Sequence, residues 1–348
     1  VTATAAEFYV RTKTATFQSL SVFAMALAVG AGILAIRRAG LTFNAHKRLD
    51  RLVVTLLMGC SVVVVLITAA IVLSLLIQTV RFFDMVPPSA LLDGMWNPAS
   101  PFETQGGEQT GQYGIGGLLT GTVLISLIAL GVATPLGLLV ALYLSQYASR
   151  RTRQISRPFF EVLAGIPTVV YGFFAVVVVA PLLSRGGVTL GLDVAADSAL
   201  AAGTVMGIMI MPYVSSLCDD AISAVPRPIR DGALALGATS AETVWSVVLP
   251  AALPGVLGAL LLAFSRTIGE TMIVLMAAGL ASNLSFDPTQ SVTTVTVQIV
   301  QALTGVQRFD TAKALSAFML GMTLFMMTLT INVAALFLRR HFSAKAKV

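Results

Sequence analysis

PGVLGALLLAFSRTIGETMIVLMAAGL, Pro254 to Leu280, is a run of 27 residues that is apolar except for two charges near its middle, Arg266 and Glu270. About 20 apolar residues in a helix cross the hydrocarbon core of a bilayer, so the run is long enough to span one. Each charge at the centre of such a helix costs about 2.5–3.5 kcal/mol. Spaced i,i+4, the two side chains share a helix face and are expected to pair. A buried ion pair stabilises a fold weakly, because desolvation offsets the Coulomb attraction, and an apolar pair would pack at lower cost. An anion pathway gives the charges a purpose. Arg is permanently ionised and presents a planar fork that matches the oxygens of phosphate. Glu270 would satisfy that fork while the path is empty and keep the anion from binding too tightly, since a translocation site must release what it holds. Ser265, Thr267 and Thr271 add hydroxyls nearby.

The rest of the 348 residues place this run in an all-α polytopic membrane protein. The chain is 56% hydrophobic and 11% charged, against about 25% charged residues in soluble domains. Seven apolar segments reach membrane-spanning length: 17–36, 52–80, 117–146, 158–184, 199–217, 253–280 and 312–338. The first lacks a small-residue cleavage site and runs straight into a basic loop, which argues against a cleaved signal peptide. The chain begins at Val1 rather than Met, which leaves room for an upstream segment.

Lys and Arg set the expected orientation. Connections 37–51, 149–157 and 218–245 and the tail 339–348 hold five, four, two and four of them, fifteen together. The segments on the other side hold six: Arg11, Lys13, Arg81, Arg185, Arg308 and Lys313. The positive-inside rule then puts the amino terminus outside and the carboxyl terminus in the cytoplasm. The net charge of +6 is therefore a topology signal and does not point to nucleic acid. Segment 81–116, rich in Pro and Gly, reads as an exposed outer loop. In a second outer loop, 281–311, SVTTVTVQIVQAL is compatible with a short strand or a surface helix. Small residues at Gly131…Gly137 and Gly255…Gly258 suit close helix packing.

Between two spans lies DGALALGATSAETVWSVVLP, Asp231 to Pro250, which contains no spanning run. It reads as two short helices joined at Gly237, where glycine suits a left-handed cap. Ser240 with Thr243 is a weak helix start, lacking the acid of a capping box. The segment resembles the EAA loop of ABC importer permeases: E-A-A, three residues, G, nine residues, I, one residue, L-P. Here the pattern falls on Asp231-Gly232-Ala233, Gly237 (followed by Ala238), Val247 and Leu249-Pro250 with every spacing kept, and with Asp for Glu and Gly for the first Ala. The resemblance implies a coupling helix that docks into a groove of a cytoplasmic ATPase.

Further stretches resemble the permease of the phosphate-specific transporter, PstC type. They are AGIPTVVYGFF (164–174), GTVLISLIALGVATPLGLLVALYLSQYA (121–148), WNP (96–98) and SRTIGETM (265–272). The signature positions are Ile166, Pro167, Thr168, Tyr171 and Gly172. The resemblance covers about 52–340 and implies a type I ABC importer permease core of six spans, with one extra amino-terminal span and a basic connector in 1–51 and a basic cytoplasmic tail in 341–348. It implies a subunit of the bacterial inner membrane that works with a second permease of PstA type, a cytoplasmic ATPase dimer, a periplasmic phosphate-binding protein, inorganic phosphate and membrane lipid. It also places Arg266 and Glu270 in the translocation path.

No covalent chemistry is expected of the chain. No Gly-Lys dipeptide occurs, so a P-loop is excluded and ATP and Mg belong to the partner ATPase. His46 and His341 lie in basic segments, no HExxH or Cys/His cluster exists, and no metal or other cofactor is expected. Cys60 and Cys218 fall in or beside spans and do not form a disulfide framework. Glu161, four residues after Arg157, reads as its interfacial helix partner. Two alternatives stay open: an ABC permease for sulfate or molybdate, and a secondary transporter or channel needing no ATPase. An intramembrane protease would need paired aspartates or a Ser/His dyad that the spans lack.

Overall fold

The computed structural model describes residues 19, 21–33, 45–92, 94–98, 111–189, 191–304 and 310–345. The chain divides into two units, 1–70 and 71–348. In the first, apolar helix α1 (Ser21–Ile33) is followed by the opening turns of α2 (Ala45–Met85). Both present apolar side chains all round, among them Phe23, Val53, Leu57 and Val64, as a helix in lipid does. The remainder of the expected span 17–36 lies outside the described residues.

The second unit carries the end of α2, then α3 (Gly116–Leu142), α4 (Arg150–Ala164), α5 (Thr168–Phe174), α6 (Ala180–Thr189), α7 (Ala199–Ser223), α8 (Arg227–Ala235), α9 (Ser240–Thr243), α10 (Leu249–Ile268), α11 (Met272–Ala277), α12 (Val295–Leu303) and α13 (Ala312–Lys345). Wide π turns at Tyr143–Tyr147, Ala175–Val179 and Val244–Val248 extend α3, join α5 to α6 and join α9 to α10. Among the described residues, six helices are long and apolar enough to cross a bilayer: Leu49–Met85, Gly116–Tyr147, Thr168–Thr189, Ala199–Ser223, Ser240–Ile268 and Ala312–Leu338.

Two spans differ from their sequence reading. The segment 158–184 does not form one helix, because Gly165 caps α4 and Pro167, with ψ at 135°, starts α5. The residue before a proline is pushed out of the helical region, so the chain breaks at Ile166-Pro167. Residues 158–164 instead end α4, a helix with no buried residue. Likewise 253–280 stops at Ile268, where the Gly269 N–H turns back to the carbonyls of Arg266 and Thr267.

α3 and α7 pack side by side with numbers rising together. A Cβ on Gly203 would lie 2.6 Å from Ile128 Cγ2, and one on Gly207 2.7 Å from the Ala129 carbonyl. Small residues let the two backbones close to contact. Of the glycines expected to pack, Gly137 meets Val214 and Gly255 meets Ala221, whereas Gly131 and Gly258 face open space. Ile125, Ala129, Val205, Met206 and Met209 form the core around this seam, and Val214, Cys218, Val256, Ala259 and Ala263 continue it against α10.

At the end of the bundle where α3 begins, a two-residue antiparallel ladder pairs Trp96–Asn97 with Gln112–Tyr113. The expected exposed loop is thus partly core: Trp96 and Tyr113 are buried edge-to-face, and Trp96 Nε1 donates to Gln298 Oε1 at 3.0 Å. SVTTVTVQIVQAL is neither a strand nor a surface helix. Its last nine residues fold as α12, whose Val295, Val297 and Gln298 are buried and whose first N–H donates to Thr122 Oγ1.

Candidate functional site

Arg266 stands in the last turn of α10 and is exposed. Its guanidinium lies over the ring of Tyr213, 4.9 Å from the centroid, a cation–π geometry. Tyr213 falls just past the midpoint of α7, so the charge sits at mid-depth of the bundle.

The expected pairing with Glu270 does not occur: among the described residues no ion pair joins them. The i,i+4 geometry requires a continuous helix, and α10 ends between the two residues. Glu270 turns back on the chain, where Oε1 accepts from the N–H groups of Thr271 and Met272, both at 3.1 Å, and tethers the first turn of α11. Its carbonyl accepts from Thr296 Oγ1 at 2.8 Å, which ties the break to α12. Thr267 is buried and donates to the Ala263 carbonyl, and Thr271 Oγ1 donates to the Gly269 carbonyl. Ser265, partly buried, is not among the cleft-lining residues.

The cleft onto which Arg266 opens has a volume of about 380 Å³. α7 forms its floor through Tyr213, Ser216, Asp219 and Asp220, which recur at helical spacing on one face, with Ser215 beside them. α4 forms the opposite wall through Arg157, Phe160 and Glu161. Arg157 is not paired with Glu161, as its spacing suggested. It reaches across to Asp219, with Nη2 at 2.8 Å from Oδ2. Asp219 also attracts Arg153 Nη2 at 3.9 Å and accepts from Ser223 Oγ. Sequence reasoning missed Asp219, Tyr213 and Ser215. The one available signal was the i,i+4 pair Arg153 and Arg157, which put two cations on a single helix face.

The signature positions lie beside this site. Ile166 packs on the core, Pro167 caps α5 and Thr168 begins it. Tyr171 is buried and donates its hydroxyl to the Leu163 carbonyl at 2.9 Å across the break. At Gly172 a Cβ would meet Met276 Sδ at 2.8 Å and the Met272 carbonyl at 3.3 Å. The two sequence stretches IPTVVYG and GETM are therefore packed against each other, and the glycine permits that approach.

A second site closes the far end of α7. Asp231, Gly232 and Ala233 lie on α8. Gly237 (φ 90°) turns the chain in the left-handed region, with its N–H on the Leu234 carbonyl and the Ala238 N–H on that of Ala233. That is a Schellman cap, which glycine accommodates without steric cost. Thr239, one residue earlier than the expected cap Ser240, caps α9 in a complete capping box with Glu242. Val247 falls in the π turn, and Leu249 and Pro250 open α10. Leu236 projects at 91% exposure beside exposed Ile229 and Leu234.

The family model described as binding-protein-dependent transport system inner membrane component matches residues 133–348, more than half of the chain. Similar proteins include the probable ABC transporter permease YqgH of Bacillus subtilis, 27% identical over 87% of this chain and 94% of the relative. The phosphate transport system permease PstC of Mesorhizobium japonicum is 27% identical over 89% of this chain and 94% of its own length. That of Pasteurella multocida is 28% identical over 80% and 88%. Among solved structures, an amino acid ABC transporter aligns with 65% of this chain and 92% of its own at 22% identity and a TM-score of 0.46.

Proposed function

The chain belongs to the binding-protein-dependent transport system inner membrane component family, and on that premise we propose that it is the PstC-type permease of an ATP-driven phosphate importer. It is a multi-pass membrane transport subunit. The observation that carries the reading is Arg266: a guanidinium at mid-depth of the bundle, open to a cleft, with an aromatic face and, among the described residues, no carboxylate paired with it. A cation so placed is open to an arriving anion, and its fork fits a phosphate. The relatives named for phosphate transport agree with that choice of anion.

In this reading Arg266 contacts phosphate in transit, and Glu270 holds the helix break that presents it. Ser265, Thr267 and Thr271 have a lesser part, since two of the three hydroxyls are engaged by backbone carbonyls. A second permease of PstA type completes the pathway. Two ATPase subunits bind ATP and Mg, and a periplasmic protein delivers phosphate. The α8–α9 elbow faces the cytoplasm of an inner membrane whose other side meets the amino terminus. The exposed Leu236, turned out by the Gly237 cap, enters the ATPase, and ATP-driven closure of that dimer pulls the elbow and switches the cleft between its two openings.

The test is labelled-phosphate uptake by vesicles holding the complete complex. Uptake should require ATP even when the membrane potential is held, and excess sulfate should not compete. Gly237→Asp should leave the subunit inserted and uptake abolished, because a Cβ at φ 90° strains the cap and the charge blocks docking. Full ATP-dependent uptake in that variant, or uptake persisting without ATP, overturns the coupling scheme.

A further inference from the structure

Arg266 is one of two guanidiniums that line the cleft, and the other, Arg157, lies toward the α8 end of α7. Tyr213, beneath Arg266, and Asp219, beneath Arg157, are six residues apart on α7, which is about 9 Å of helix rise.

The three cations around this wall are not equivalent. Arg153 is committed, since its Nε and Nη2 both donate to the Leu144 carbonyl at the π turn that ends α3. Among the described residues Arg157 is held only by Asp219, and its side chain is 56% exposed. Asp219 is 9% exposed at its side chain and is shared, because Arg153 and Ser223 remain on Oδ1 when Arg157 leaves Oδ2. Breaking a buried ion pair is costly chiefly because one charge is stranded. Here neither would be. The carboxylate keeps a cation and a hydroxyl, and the freed guanidinium stands in an open cleft. Ser215, one turn before Asp219 and 3% exposed, lines the same cleft with a hydroxyl able to donate to an anion.

Resting on the phosphate-permease reading, we propose that Arg157 is a second anion contact in this path. Phosphate moving from Arg266 toward the α8 end displaces the Asp219 carboxylate from Arg157 and takes a hydrogen bond from Ser215. The return of Asp219 to Arg157 then expels it. Release thus comes from a competing carboxylate six residues further along α7 than Tyr213, which replaces Glu270 in that role.

The experiment uses the complete complex and labelled inorganic phosphate, with two readouts: ATP-driven uptake, and phosphate retained by the detergent-purified complex. Arg157→Gln should assemble at normal abundance, lose about tenfold in uptake, as expected for one charge-assisted hydrogen bond, and retain less phosphate. Asp219→Asn should also transport poorly yet retain more phosphate, because Arg157 is no longer recaptured. Arg157→Lys should recover part of the uptake. If Arg157–Asp219 is only a clasp between α4 and α7, the Gln and Asn variants lower melting temperature together and shift retention in the same direction, and the proposal falls. Arg266→Gln in the same assay separates the two readings. Normal uptake for Arg157→Gln with loss for Arg266→Gln overturns this inference alone, and normal uptake for both overturns the permease site as well.

Discussion

α7 does two different jobs along its length. From Ala199 to Met211 the side of α7 that faces α3 is a dry wall: Gly203 and Gly207 admit the backbone of α3, and Val205, Met206 and Ile210 are buried. From Ser215 to Asp220 the same helix is the floor of a polar cleft, carrying one buried acid that holds two arginines of α4. The change occurs around Pro212 and Tyr213, where the ring meets Arg266. The upper half has no freedom to move without opening the core. The lower half is held by contacts that can exchange partners. A transport path needs both, a rigid side against which charge can be positioned and a side where contacts are made and broken.

The comparison can be broken most severely at the wall. Gly207→Leu must push a side chain into the Ala129 carbonyl and Val132, neither of which can retreat. Overpacking of this kind costs about 1–3 kcal/mol or more. The subunit should be depleted from membranes, and what remains should melt well below the parent. Normal abundance and melting would mean that the α3–α7 seam is looser than its geometry.

A gentler pair of variants sharpens the same contrast. In a background with Cys60→Ala and Cys218→Ala, Ser216→Cys should react readily with a polar maleimide and Met206→Cys should not, since Ser216 is exposed to the cleft and Met206 is 1% exposed. Equal labelling rates would erase the distinction between wall and floor.

The uniform parts of this architecture are legible in the sequence, and the interruptions are less so. α2, α3 and α13 are continuous apolar runs, so length alone locates them. The break before α5 is hidden because residues 158–164, apolar except for Glu161, flow into the apolar stretch that follows, and only Gly165 and Pro167 mark it. Arg266 was conspicuous as a charge among leucines. Its pairing was misjudged because Gly269 ends the helix inside an apolar run, and hydropathy does not register a glycine. The Gly237 cap was readable from local chemistry. The capping box was one residue away from the position considered, at Thr239 with Glu242. Asp219 was invisible for a different reason: its partners come from another helix, and no local pattern records a contact made across the bundle.

The central claim is that Arg266 handles the transported anion, and one substitution tests it. Arg266→Gln removes the guanidinium while leaving Glu270 on the α11 backbone, where it needs no cation. Insertion and abundance should therefore be unchanged. Labelled-phosphate uptake by vesicles containing the complete complex should fall to the level of vesicles lacking it, with all subunits present on a blot. Uptake at the parental rate and normal abundance would contradict the account, and Arg266 would then be a packing charge resting on Tyr213.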